Sequence, residues 1–314
     1  MAVAPSFQPL LVPTIFSVIE EITLIQLFRN ITIDEDTCIA WLKSNGLLAT
    51  GMMCKCGRIM RPGTFSGIAD GKGWRCPEKS CKKFASMRIG SFFEGAHLPL
   101  TELVEFLYFW ADNMQTTAFL HKNLGWGEHT ITDWKNFLRD LCVEEFLVNP
   151  QPIGGPGHIV EIDESKFGHR KYSRGRMLSG QWVFGGIDRE TKDVFMIPVQ
   201  DRSAATLVPL IQRYILPGTT ILSDEWASYN SIPAASFQHL TANHSLNFVD
   251  PTTGVHTQTV ESTWGGAKKR LRNCMTTNPI LLDTHLSEVC WQKKYGEARF
   301  SNLIMEIRKQ YPVV

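Results

Sequence analysis

A chain of 314 residues is long enough for about two domains, each with a core of its own. Hydrophobic residues at 43% and charged residues at 20% exclude a disordered chain. A net charge of +1 excludes a uniformly basic nucleic-acid coat, so any surface for DNA must be a local patch balanced by acid elsewhere.

The apolar opening from Met1 to Ile22 is broken by Pro5, Pro9 and Pro13. It lacks the basic start and cleavage site of a signal peptide. No segment reads as transmembrane. The chain is expected to be intracellular, neither secreted nor held in a membrane. Residues 1–49 read as an N-terminal helical segment. Ile22, Leu24, Ile25 and Phe28 give one apolar face. Asp34 or Asp36 caps a second helix carrying Ile39, Trp41 and Leu42, and Gly46 stops it.

Residues 50–97 change character, becoming Gly-rich and Cys-bearing. Cys54, Cys56, Cys76 and Cys81 read C-x-C, nineteen residues, then C-x4-C. Four thiolates suit a closed tetrahedral zinc site, although this spacing departs from the usual C-x2-C pair. His97 is the substitute if one ligand differs. So small a unit has little core, and structural Zn²⁺ would supply much of its folding energy. In an intracellular protein, disulfides are the poorer explanation for clustered cysteines. Cys38, Cys142, Cys274 and Cys290 are scattered in apolar stretches and read as buried thiols.

Residues 98–148 turn helical again. Leu103, Phe106, Leu107 and Trp110 share one face. A short helix near Thr116 to Leu124 ends at Gly125, and another follows from about His129 to Phe146. The pattern fits either a DNA-reading helix-turn-helix or an ordinary three-helix packing unit. The Pro/Gly run within residues 149–158 reads as a linker. Beyond it, residues 159–296 switch to strand-like periods. Strands are expected at His158 to Asp163, Gln181 to Asp188, Asp193 to Val199, Thr219 to Ser223 and Asn247 to Val249. Helices are expected at Ala204 to Ile215 and Thr259 to Leu271, and residues 297–314 read as a C-terminal tail. The class is α+β, with a mixed sheet covered by helices.

Three acids stand where chemistry would want them. Asp163 is expected to close the first strand, Asp224 closes a later one, and Glu261 lies early on a helix. Hard oxygen ligands from separate elements suit Mg²⁺ or Mn²⁺. Two such ions can activate a water or a 3′-hydroxyl and steady the leaving oxygen of a phosphoryl displacement. Taken singly, each acid reads first as an ordinary surface carboxylate. Glu161, Glu164 and Glu225 are close rivals, and Glu161 shares a strand face with Asp163.

The segments around these acids resemble a known family. Glu161-Ile-Asp-Glu-Ser165, Trp182 to Asp188, Leu222-Ser-Asp-Glu-Trp226, His256 to Trp264 and Leu282 to Lys293 are similar to the Merlin superfamily of DNA transposons. They are equally similar to the related bacterial insertion-sequence transposases. The Cys-bearing unit with Ser86 to Glu94 shares in the resemblance, which spans about residues 30–296. It implies an RNase H-like fold, an N-terminal zinc ribbon, and a DDE triad on Asp163, Asp224 and Glu261 holding two Mg²⁺ or Mn²⁺ ions. It further implies double-stranded DNA partners (element ends and target) and a homodimer or higher oligomer. The location expected is the nucleus in a eukaryotic host and the cytoplasm otherwise.

Around the triad, His256 is read either as a group touching substrate phosphate or moving a proton, or as a structural histidine. Trp264 either stacks on an unpaired base or packs in the core. Lys166, Arg170, Lys171, Arg174 and Arg176 form one basic run, and Lys268, Lys269, Arg270 and Arg272 a second. Both adjoin the acids and read as phosphate contacts. Three functions fit: an active transposase cutting and joining strands, a domesticated DNA-binding protein that no longer transposes, or an RNase H-fold nuclease.

Overall fold

In a computed structural model, described for residues 7–9, 19–67, 70–168, 180–241, 256–272 and 281–313, the chain divides into two units. One is Met1–Lys135 with Glu297–Val314, the other Asn136–Gly296.

The first unit opens with β1 (Phe7–Pro9), α1 (Leu24–Asn30) and α2 (Glu35–Ser44). Thr23 and Gln26 form a reciprocal capping box on α1, and the Asp34 carboxylate accepts the Thr37 N–H to start α2. The apolar face expected on the first helix is not the one that packs. Leu27 is fully buried there, whereas Ile25 and Phe28 are exposed. β2 (Met52–Cys54) pairs antiparallel with β1. β3 (Arg61–Thr64), β4 (Lys72–Arg75) and β5 (Phe84–Ser86) form an antiparallel three-stranded ribbon.

α3 (Leu100–Ala111) is the apolar centre of this unit, with nine of its residues buried. Its first amides, Leu100 and Thr101, donate to the Glu35 carboxylate on α2, which satisfies donors that Pro99 cannot cap. α4 (Thr117–Leu124) ends on Gly125, which takes the left-handed conformation at φ 71°. α5 (Glu128–Val143) follows, and the division between units falls within it. The exposed positions of α5 include Glu128, Asp133 and Asp140 and no Lys or Arg. A helix of that charge offers no cationic face to a phosphate backbone.

The second unit is built on a five-stranded sheet. β6 (Ile153–Gly154) lies inside the stretch read as a linker, pairs in parallel with β10 (Ile215–Leu216), and buries Ile153. This stretch is therefore part of the unit rather than a free connection. β7 (Ile159–Phe167), β8 (Gln181–Asp188) and β9 (Val194–Val199) form an antiparallel meander. After α6 (Ala204–Tyr214), β11 (Thr220–Ser223) returns in parallel beside β7, and β12 (Gln238–Thr241) in parallel beside β11. The order β12-β11-β7-β8-β9 is that of an RNase H-like fold. β7 runs four residues past the end expected for it, because β8 pairs with it as far as Phe167. Asp163 thus sits mid-strand, opposite Gly185. The strand expected at Asn247 to Val249 lies outside the described residues, and the fifth strand is the polar Gln238–Thr241.

Helices cover both faces. α6 sends Leu207, Ile211 and Tyr214 onto Val160, Ile162, Phe184 and Phe195. α7 (Gln258–Leu271) and α8 (Leu282–Lys294) send Val260, Trp264, Ala267, Leu286 and Cys290 onto Phe167, Val183, Ile187 and Met196. Gly185 has no room for a side chain: a Cβ there would meet the Trp264 ring at 2.5 Å and the Phe195 carbonyl at 2.6 Å. Gly185→Ala is expected to lower stability by about 1–3 kcal/mol in a urea titration, since backbone on one side and a buried indole on the other must shift. An unchanged midpoint would mean the indole moves freely. The last helix, α9 (Arg299–Gln310), belongs to the first unit and buries Phe300, Leu303, Ile304 and Ile307, so the expected tail is a packed element. Among the described residues, no helix is long and apolar enough to cross a membrane.

Candidate active site and cysteine centre

Strand alternation sends Glu161, Asp163, Ser165 and Phe167 to the face of the sheet that α7 covers. Three contacts fasten the helix along the strand. The Val260 N–H donates to Glu161 Oε2 at 2.9 Å, Trp264 Nε1 to Asp163 Oδ2 at 3.0 Å, and Lys268 Nζ to Ser165 Oγ at 2.6 Å. The steps are two residues on β7 and four on α7. Two strand residues advance about 6.6 Å and four helical residues about 6.0 Å, so strand and helix stay in step.

The parallel partner supplies the second acid. The last registered pair between β11 and β7 is Leu222 with Glu161. Extending that register by two residues brings Asp224, the residue just past β11, level with Asp163. Burial pushes the Asp163 carboxyl up to about 7. The Glu164 and Asp224 charges push the same way, against the Glu164 N–H and the Trp264 indole. Asp224 Oδ1 accepts the Trp226 N–H at 3.0 Å. Glu261 is exposed in the first turn of α7, with its Oε1 accepting from Thr257 Oγ1 at 3.2 Å. The structure therefore sets Asp163 beside Asp224 and carries Glu261 on the helix fastened over Asp163, but it does not close the three into a tight cluster.

The rival acids separate on geometry. Glu161 is fully buried and already engaged by Arg189 Nε at 2.6 Å and by Val260 N, while Arg189 Nη2 also holds the His256 carbonyl. Glu161 is thus the anchor of the α7 N-terminus. Glu164 points to the opposite face, where Tyr229 Oη donates to it at 2.6 Å. Glu225 is exposed. Glu161→Ala should lower stability by roughly 2–3 kcal/mol, because a buried guanidinium contact and a helix-terminal amide lose their acceptor. Urea unfolding followed by tryptophan fluorescence reads this directly, and an unmoved midpoint would remove Glu161 as the anchor.

The neighbours expected to meet DNA fare unevenly. Trp264 is 4% exposed, packed edge-on to Phe167 and committed to Asp163 through its indole N–H. No ring face is left for a base, and its reading as a stacking residue is corrected to a core residue. His256 Nδ1 lies 3.7 Å from the buried Glu161 carboxylate. Lys268 is spent in part on Ser165 and on the Phe167 ring, Arg270 pairs with Glu288, and Lys269 and Arg272 are exposed. Lys166 lies over the Trp182 ring. Arg170, Lys171, Arg174 and Arg176 lie outside the described residues.

In the first unit, β2, the turn after it and the two ends of the β4–β5 connection bring Cys54, Cys56, Cys76 and Cys81 together. Their sulfurs all lie within 4.8 Å of one another, with Cys54 to Cys81 at 3.5 Å and Cys56 to Cys76 at 3.4 Å. A tetrahedral Zn–S length of about 2.3 Å requires S···S edges of about 3.8 Å, so the four thiols match that cage. The Cys54 thiol is drawn down to about 7, chiefly by the Cys56 backbone N–H. His97 is not part of the cluster. Cys38, Cys142 and Cys290 are buried as expected, and Cys274 lies outside the described residues.

Residues 153–293 match the model of the ISXO2-like transposase domain. An uncharacterized transposase-like protein of Haemophilus influenzae is 25% identical over 121 residues, covering 38% of this chain and 89% of that protein. Among solved structures, the HTLV-2 integrase catalytic core domain in complex with magnesium is 19% identical, covering 44% of this chain and 86% of that one, with a TM-score of 0.31. The BIV integrase catalytic core domain is 16% identical over 44% of this chain and 86% of that one, with a TM-score of 0.32.

Proposed function

We propose that this chain is a DDE-type DNA transposase of the insertion-sequence and Merlin kind, with Asp163, Asp224 and Glu261 as the ligands of two divalent ions. The observation that carries the reading is the register that brings Asp224, just past β11, level with Asp163 on the adjacent parallel strand β7, with α7 fastened over Asp163. The transposase-domain match over residues 153–293 supports it. The donor set fits Mg²⁺ or Mn²⁺. It offers hard oxygens only, and burial beside two further carboxylates raises Asp163, a concentration of negative charge that a divalent cation would offset. When bound, such ions activate the attacking oxygen and stabilise the leaving one.

The chain's own groups supply positioning. The Trp264 indole holds Oδ2 of Asp163 and so fixes the carboxylate in orientation. Glu161 and Arg189 lock the first turn of α7, and with it the placement of Glu261. Lys166, Lys269, Arg272 and the remaining basic residues of both runs neutralise phosphates near the acids. Residues 50–97 carry nine Lys and Arg against three Asp and Glu, which makes the cysteine ribbon the local basic patch that a net charge of +1 requires. A zinc tetrathiolate centre offsets part of that excess and leaves it positive. We assign to this ribbon the recognition of element ends, to the assembly a dimer or larger that pairs two ends, and to a eukaryotic host the nucleus as the place of action.

Cleavage and strand-transfer assays with the element's own ends, supplied both uncut and cut beforehand and with Mg²⁺ or Mn²⁺, test the reading. Joining of the 3′-hydroxyl to target DNA supports it. Cutting without joining would make the protein a nuclease, and binding without either would make it a domesticated DNA-binding protein.

A further inference from the structure

Beside Asp224, on the face of the sheet that carries Glu164 and opposite the Asp163 side chain, stands a stack of alternating cations and indoles. Lys166 Nζ lies 5.4 Å from the centroid of the Trp182 ring. The Arg202 guanidinium lies 4.3 Å from Trp182 and 4.1 Å from Trp226, sandwiched between them. The order is Lys166, Trp182, Arg202, Trp226. The arrangement is held from several sides. The Trp226 indole N–H and the Ser228 hydroxyl both donate to the Arg202 carbonyl, at 2.9 and 2.6 Å. Arg202 Nη1 lies 3.9 Å from Glu164 Oε2, the carboxylate fixed by Tyr229. The outermost layer, Trp226, keeps 38% of its surface exposed, so the stack ends open. The same residue is tied to the candidate metal site, because its backbone N–H donates to Asp224 Oδ1.

We infer that the open end of this stack receives an unpaired DNA base, that of a nucleotide flanking the phosphate held at Asp163 and Asp224. An aromatic plane with a cation beneath it suits any base, because every base presents a π face, and it carries no sequence preference. Trp226 follows Asp224 by two residues, their Cα atoms at most about 7 Å apart, which places the occupant in the neighbourhood of the reacting nucleotide. The paired cations neutralise the phosphate of that nucleotide. Which phosphate reacts rests on the transposase reading; the stacking itself does not. A duplex keeps its bases stacked on one another, so the site discriminates in favour of frayed, nicked or single-stranded DNA at the cleavage point.

The test is binding of the full chain, without added divalent ion, to a short fluorescent single strand and to a blunt duplex of the same sequence, followed by anisotropy. Trp226→Ala is expected to weaken single-strand binding roughly ten- to hundredfold and to leave duplex binding nearly unchanged. Trp226→Phe keeps an aromatic plane and should retain most of the affinity. Trp226→Leu keeps apolar bulk without a π face and should lose it. Equal binding of the strand by the Phe and Leu variants overturns the inference, as does an equal loss on both probes in Trp226→Ala, which marks a structural prop. Failure of strand transfer in wild-type protein overturns the transposase reading and leaves this comparison intact, so the two fail separately.

Discussion

Asp163→Asn is expected to abolish metal-dependent strand cleavage and joining, a loss of about 10³-fold or more, while DNA binding survives. The substitution is nearly isosteric. The amide oxygen can still accept the Trp264 N–H, so the fold and the seat of α7 are retained. What is lost is the negative charge that a divalent ion needs from a ligand this central, worth several kcal/mol at the transition state. Cleavage assays in Mg²⁺ and in Mn²⁺, alongside anisotropy on the same substrate, separate chemistry from binding. Activity within a few-fold of wild type would sink the assignment of Asp163. A parallel loss of binding would instead mark the residue as structural.

Removal of zinc should have the largest effect on stability. The protein is expected to purify with one zinc per chain, and a strong chelator should unfold the ribbon around Cys54, Cys56, Cys76 and Cys81. The strands there are three and four residues long, and β3 is exposed along its whole length, so apolar burial alone does not hold them. Zinc bound by four thiolates contributes on the order of 10 kcal/mol or more in comparable small units, which exceeds what such a ribbon can supply from packing. Metal analysis gives the stoichiometry. Hydrogen exchange before and after chelation should show protection lost at residues 50–97 and kept on the sheet of the second unit. A ribbon whose amides stay protected without zinc would refute the structural role.

The local patterns in the sequence were the legible part. The Cys spacing survived without a core to confirm it, because covalent chemistry needs only the four residues to be present. The meander β7–β8–β9 was visible in its alternating apolar positions and short turn. Asp163 was expected at a strand end and stands mid-strand: Glu164, Ser165 and Lys166 look like loop, and only pairing with β8 reveals that they continue the strand. β12 was missed because Gln238–Thr241 contains a single apolar residue and owes its strand form to β11. Trp264 and Trp226 were not distinguishable from one another by sequence. One is buried against Gly185 of β8, the other is left open by a turn built on Asp224. The role of Glu161 depends on Arg189 and Val260, partners 28 and 99 positions away, and no local reading reaches that far.

Those long separations bear on how the protein is made. The three fastenings between β7 and α7 join residues 99, 101 and 103 positions apart. On the ribosome, Asp163 and Asp224 emerge long before the helix that carries the third acid and the indole that orients the first. On the transposase reading, this delays competence until α7 has been synthesised. A product truncated before α7 keeps the basic ribbon and both aspartates, yet lacks Glu261 and the clamp on Asp163. If the ribbon recognises element ends as proposed, such a fragment would occupy them without cutting and so restrain the intact copies.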